Sequence, residues 1–169
     1  MGLEALETRL LLSHDLLGSA PDPPVSPGSL AEQGAASQLS YSAPSGNGPD
    51  QLVLRYNSGA GELEILDGGT SSVLTSQALA TTSDVLITGA DDTDTTDETD
   101  TLTIDFAEAF SIGVEFRGGL GGADSLIIVG GTFTTVTYEA AGADSGSVDF
   151  DGMAVAYSGL EPVTEAAML

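Results

Sequence analysis

From Asp50 onward the chain is built from short runs in which apolar and polar residues alternate, each broken off by Gly, Asp or Ser. Period-two alternation sends successive side chains to opposite faces, which makes half-buried strands and gives no helical stripe. Strands are expected near Leu52–Tyr56, Glu62–Leu66, Val73–Thr75, Val85–Thr88, Thr101–Phe106, Gly113–Phe116, Ser125–Val129, Thr132–Tyr138, Ser147–Phe150 and Ala154–Tyr157. The run centres fall roughly 7 to 17 residues apart, and no helical pattern interrupts them. The fold class is therefore all-β.

Nearly every run offers two apolar residues separated by one. The inward set is Leu52 and Leu54, Leu63 and Ile65, Val85 and Ile87, Leu102 and Ile104, Val114 and Phe116, Leu126 and Ile128, Val148 and Phe150, Val155 and Tyr157. Units this short can stack as rungs of a parallel β-solenoid (β-helix-like) or pair as a β-sandwich. The absence of tryptophan and the 22 glycines, placed as corners, favour the solenoid, with the sandwich as the alternative.

Upstream the texture changes. Residues 18–49 hold six of the seven prolines amid Gly and Ser, the composition of an extended linker. Residues 1–17 place Leu3, Leu6, Leu10 and Leu17 at helical spacing, with Glu4, Glu7 and Arg9 on the other side, so a short amphipathic N-terminal helix is expected. The β domain is expected over residues 50–160. Residues 161–169 read as a tail or as the start of a following module, since the chain stops soon after a strand-to-turn pattern that suggests a fragment of something longer. No stretch approaches the roughly 18 uninterrupted apolar residues of a membrane helix.

The charge narrows the partners. Twenty-six acids against three arginines and no lysine give a formal charge of −23. A polyanion or an anionic membrane would be repelled, so nucleic acid and membrane insertion are excluded as primary partners. With no cysteine there is no disulfide, thiolate metal site or cysteine nucleophile. His14 is the single histidine and lies outside the β domain, which removes the base from a Ser-His-Asp triad. Arg55 and Arg117 read as strand-surface residues paired with acids across a ladder. The expectation is a protein that is not an enzyme.

Acids do supply hard oxygen ligands, and calcium takes six to eight of them. The run from Asp91 to Asp100 carries six carboxylates in ten residues, with Asp91, Asp92, Asp94 and Asp97 as candidate ligands. An EF-hand is rejected because its glycine and terminal glutamate are not at their offsets. The competing reading is a solvated loop of self-repelling charges. Asp124 is the remaining candidate: Gly118-Gly-Leu-Gly-Gly-Ala-Asp124-Ser-Leu126 is similar to the calcium-binding nonapeptide of RTX proteins, with one residue too many before the aspartate and only one copy. Its alternative is a glycine corner with Asp124 capping the turn. No cofactor is required, and Ca2+ is the one the acids would accept.

Leu6-Glu7-Thr8-Arg9-Leu10-Leu11-Leu12-Ser13 resembles the LEPR-XLL motif of large repeat-built bacterial envelope proteins, notably of planctomycetes. Leu6, Glu7, Arg9, Leu11, Leu12 and Ser13 match, and Thr8 stands where the family has proline. The segments Thr101-Leu-Thr-Ile-Asp105, Gly118 to Leu126, Gly146-Ser-Val-Asp-Phe-Asp-Gly152 and Tyr157-Ser-Gly-Leu-Glu-Pro162 resemble the modules that follow that motif. The resemblance implies a cell-envelope or extracellular location and recognition of the motif by sorting or secretion machinery. It further implies a structural or adhesin-like role beside envelope polysaccharide or other surface modules. The alternative expectation is a calcium-dependent carbohydrate-binding or carbohydrate-active module.

Overall fold

The computed structural model describes residues 35–45, 50–91 and 99–160. The expected N-terminal helix, the sorting motif, most of the linker and residues 161–169 lie outside them. Eleven strands follow in order: β1 (Ser37–Ser42), β2 (Gln51–Asn57), β3 (Glu62–Asp67), β4 (Val73–Ala78), β5 (Thr82–Thr88), β6 (Thr101–Phe106), β7 (Val114–Arg117), β8 (Ser125–Gly130), β9 (Val136–Ala140), β10 (Gly146–Phe150) and β11 (Met153–Ser158). One 3-10 turn, Leu79–Thr81, joins β4 to β5. The described chain is all-β, as its alternation requires.

The strands form two mixed sheets, ordered β1-β5-β7-β11-β10-β9 and β4-β3-β2-β6-β8. One side of each sheet is parallel: β1 with β5, β5 with β7 and β7 with β11 in the first sheet, β2 with β6 and β6 with β8 in the second. Antiparallel hairpins make up the other side, β11-β10-β9 in the first sheet and β2-β3-β4 in the second. Between β4 and β9 the chain crosses from sheet to sheet with every strand: β5, β6, β7 and β8 alternate between the first and the second.

The parallel register puts like residues in rows. Leu52, Leu102 and Leu126 face one another across the second sheet, as do Leu54, Ile104 and Ile128, while Val85 meets Val114 and Ile87 meets Phe116 in the first. These rows from both sheets enter one core, so the sheets pack face to face. All sixteen residues expected to point inward belong to that core or pack against it; Leu126, Ile128 and Tyr157 are the half-buried ones. Side chains such as Phe116, Leu54 and Ile104, buried outright, are worth about 1.5–3 kcal/mol each. Phe106, Phe110, Phe133 and Phe150 close one end, with ring centroids 4.8 to 5.9 Å apart.

Two local expectations are corrected. Ser37–Ser42, placed in the linker by composition, is β1; it pairs with β5 and sends Leu39 into the core. A polar SQLSYS strand gives little alternation signal, and its partner lies about 45 residues downstream in the register Ser37 to Thr82. The run expected at Thr132–Tyr138 is a strand only from Val136. Thr134 and Thr135 instead donate their N–H groups to the Asp151 carboxylate, at 2.8 Å each, which takes those donors from the ladder.

Candidate functional site

The residue before each parallel strand of the second sheet is an aspartate: Asp50 before β2, Asp100 before β6, Asp124 before β8. Because Gln51, Thr101 and Ser125 stand in register, the three aspartates fall in line at one corner of the fold. Their carboxylates turn back along the stack. Asp100 Oδ1 accepts the Asp50 N–H at 3.0 Å and its Oδ2 accepts the Ala90 N–H at 2.6 Å, while Asp124 Oδ1 accepts the Asp100 N–H at 2.9 Å. Main-chain bonds run beside them, from Thr101 N–H to the Asp50 carbonyl and from Ser125 N–H to the Asp100 carbonyl. Asp100 is 1% exposed and Asp124 4%.

Glycine makes room for these carboxylates. Gly89 and Gly118 follow β5 and β7, and their N–H groups bond to the carbonyls of Arg117 and Ser158. A Cβ on Gly89 would lie 2.6 Å from Asp100 Oδ2, and one on Gly118 would lie 2.5 Å from Asp124 Oδ2. Backbone oxygens would be nearer still, Gly118 O at 2.0 Å from the first and Gly159 O at 2.3 Å from the second, so neither position has room for a Cβ. The β5–β6 and β7–β8 crossings thus carry the same pair, a glycine leaving the first sheet and an aspartate entering the second, whereas β1 leaves through Ala43. Chemically the corner is an acceptor array that satisfies backbone donors in a water-poor place, where an unmet donor costs about 1–3 kcal/mol.

The candidate calcium ligands divide at this corner. Asp124 sits in it, with Oδ1 on the Asp100 N–H, a donor from another crossing 24 residues away. Asp91 forms an isolated bridge to Leu120 and is exposed. Asp92, Asp94 and Asp97 lie outside the described residues. Among the described residues no three His, Cys, Asp or Glu side chains gather as metal ligands do. Gly119, Gly121 and Gly122 take the positive φ angles expected of a glycine corner.

A second polar group stands on the outer face of the second sheet. Glu64 of β3, 6% exposed, accepts Arg55 Nε on Oε2 at 2.9 Å and Asn57 Nδ2 on Oε1 at 2.8 Å, both from β2, and Arg55 Nη2 stands 2.8 Å from the same Oε2. The Asn57 hydrogen bond is the main reason that its carboxyl titrates below the usual glutamate range; burial opposes the shift and Arg55 adds to it. Arg55 also faces Asp105 of β6 across the ladder. Tyr56, Ala107 and Glu108 join Arg55, Asn57 and Asp105 around an open cleft of about 270 Å³. Glu108 is held by the Ser58 N–H at 2.6 Å, which lowers its pKa. The cross-ladder pairing expected for Arg55 is present, whereas Arg117 pairs with Glu115 on its own strand, two residues away.

Reasoning from local sequence passed over Asp50, Asp100 and Glu64. The signal for the first two is a recurring acid-x-Leu-x-aliphatic pattern, in Asp50-Gln-Leu-Val-Leu54, Asp100-Thr-Leu-Thr-Ile104 and Asp124-Ser-Leu-Ile-Ile128. Glu64 carried no comparable signal, since its partners are set by the β2–β3 register. No family model, curated protein or solved structure matches the chain.

Proposed function

We propose that this protein is a non-enzymatic structural or adhesin-like module of a bacterial cell surface, with a short solenoid-like stack of coils at its centre. The observation that carries the reading is the aspartate corner. Buried carboxylates there accept the Asp50 and Asp100 N–H groups from the neighbouring crossing, and Asp100 also holds Ala90 of its own, so these protected acids of a −23 chain serve to hold one coil on the next. The parallel, in-register β1-β5-β7 and β2-β6-β8 series support the solenoid part, with the hairpins as end pieces. The exposed acids suit a saline exterior in which divalent cations screen them. The LEPR-XLL-like segment supports delivery to the envelope by sorting machinery.

The cleft beside Arg55 favours a second reading, a carbohydrate-binding module. A guanidinium, an amide, a phenol and two carboxylates around an open space are groups that sugar hydroxyls can hydrogen-bond. Two measurements separate the readings. A glycan array probed with the purified protein, with calcium and with chelator, is expected to stay blank for a spacer; calcium-dependent binding that Asn57→Ala abolishes would replace the first reading with the second. Protease shaving of intact cells that express the full chain tests location, and protection from the protease would remove the surface assignment.

A further inference from the structure

The cleft beside Arg55 is held in shape by the protein itself. Arg55 Nε and Nη2 and Asn57 Nδ2 are tied to Glu64, and Asn57 Oδ1 accepts the Ala60 N–H at 3.2 Å. On the other wall Asp105 Oδ1 accepts the Ala107 N–H at 2.8 Å and Glu108 Oε2 accepts the Ser58 N–H at 2.6 Å. Four of the six lining side chains are therefore fixed before any ligand arrives, which removes part of the ordering cost of binding. Each of the two carboxylates keeps its second oxygen, Asp105 Oδ2 and Glu108 Oε1, outside the hydrogen bonds made among the described residues.

Charge decides what those oxygens accept. The Arg55 guanidinium is engaged by Glu64, so one cation stands among the three carboxylates of Glu64, Asp105 and Glu108, and the group is left negative. The chain has no lysine with which to make up the difference. An anionic ligand is repelled. A bare divalent ion has no nest either, since among the described residues these acids do not gather as metal ligands do. An organic ammonium group reaches further, because its N–H groups make separate charge-assisted bonds to separate carboxylates. Size and lining narrow the choice again. The space of about 270 Å³ lies just under the range of about 300–1,000 Å³ usual for drug-sized ligands, and only Tyr56 and Ala107 line it with apolar surface, so it suits a single hydroxylated ring better than an alkyl chain.

We propose that this cleft binds an amino sugar whose amine is free and protonated. The ammonium group donates to Asp105 Oδ2 and Glu108 Oε1, and the ring hydroxyls meet the Asn57 amide and Arg55 Nη1. Binding of this kind rests on the carbohydrate reading of the cleft and adds to it the class of sugar. Acetylation of the amine removes its charge and leaves one N–H where there were three, so the cleft discriminates against N-acetylated sugars.

Titration calorimetry of the full chain in mild acid tests it, with the glucosamine disaccharide chitobiose and its fully N-acetylated counterpart as probes. The free amine is expected to bind at least tenfold more tightly. Asp105→Asn and Glu108→Gln each keep an oxygen for the backbone N–H that their carboxylate now holds, and each should remove most of that preference. Equal binding of the two disaccharides would overturn the proposal and leave the carbohydrate reading standing, whereas no binding of either at millimolar concentration would remove both. Undiminished binding of chitobiose to the two variants would also overturn it, as the general pull of a −23 chain on any cation. Equal affinity for butylammonium would do the same, because the sugar ring would then count for nothing.

Discussion

Asp100 and Glu64 are both buried carboxylates, held by different means. Asp100 is fixed by two backbone donors from residues 50 and 10 positions away in sequence, Glu64 by the side chains of Asn57 and Arg55. Asp100→Ala strands two buried N–H groups and should cost about 2–4 kcal/mol, whereas Asp100→Asn keeps one acceptor oxygen and should cost less. Urea denaturation of both variants checks the order, and equal losses would mean that the carboxylate does not staple the corner. Glu64 makes a prediction about pH. Its folded pKa lies below its unfolded value, so it adds stability above the ordinary glutamate range of about 4.3, and that stability is lost as pH falls through the depressed folded value. Thermal melts from pH 6 to pH 3 should therefore show Glu64→Gln less stable than the parent near neutrality and converging with it in acid; a constant gap would refute the linkage. The acids themselves are plain in the sequence, but Asp100 meets Asp124 and Asp50 from 24 and 50 residues away, across a register that only the folded sheet sets. The acidic run from Asp91 to Asp100 draws attention to its first members as calcium ligands, while Asp100 at its end is the one that the β6 register places in the corner.

Elements were legible in proportion to their alternation. β6, with Leu102, Ile104 and Phe106 inward between Thr101, Thr103 and Asp105, lies at its expected bounds, because a strand buried on one face must alternate. β1 has one buried residue, Leu39, in a polar segment, and as an edge strand it needs no more. Its importance is in what it covers. Tyr41 meets Ile87 and Leu39 meets Val85 along β5, so removing β1 would turn an interior strand into an edge. A chain starting at Gly34 should unfold cooperatively, while one starting at Asp50 should lose several kcal/mol or fail to fold. Leu39→Ala, at about 2–3 kcal/mol, is the milder version of the same test. Circular dichroism melts decide it: an unchanged midpoint in the chain starting at Asp50 would return residues 37–42 to the linker.

At the scale of the whole molecule, parallel in-register strands and a charge of −23 work against each other. Parallel stacking brings equivalent residues into line, and where these are acids it lines up like charges, which costs energy in water and more at low ionic strength. The fold meets this in two ways. At the corner it spends the carboxylates on backbone donors, and on the outer face of the second sheet it sets Arg55 between Glu64 and Asp105. Acids such as Glu139 and Asp144 stand exposed, so the medium has to provide the rest of the compensation. Screening shortens the reach of charge from about 8 Å at 0.15 M salt to about 3 Å at 1 M. The melting midpoint should accordingly rise steadily with sodium chloride over that range. Calcium supplied at matched ionic strength separates screening from binding. A site filled to 100 times its Kd would add about 2.7 kcal/mol beyond the sodium curve, with chelator reversing it. A calcium curve that lies on the sodium curve would leave the acids as a screened surface, and a flat sodium curve would show that the corner and the Arg55 group already neutralise the repulsion that matters.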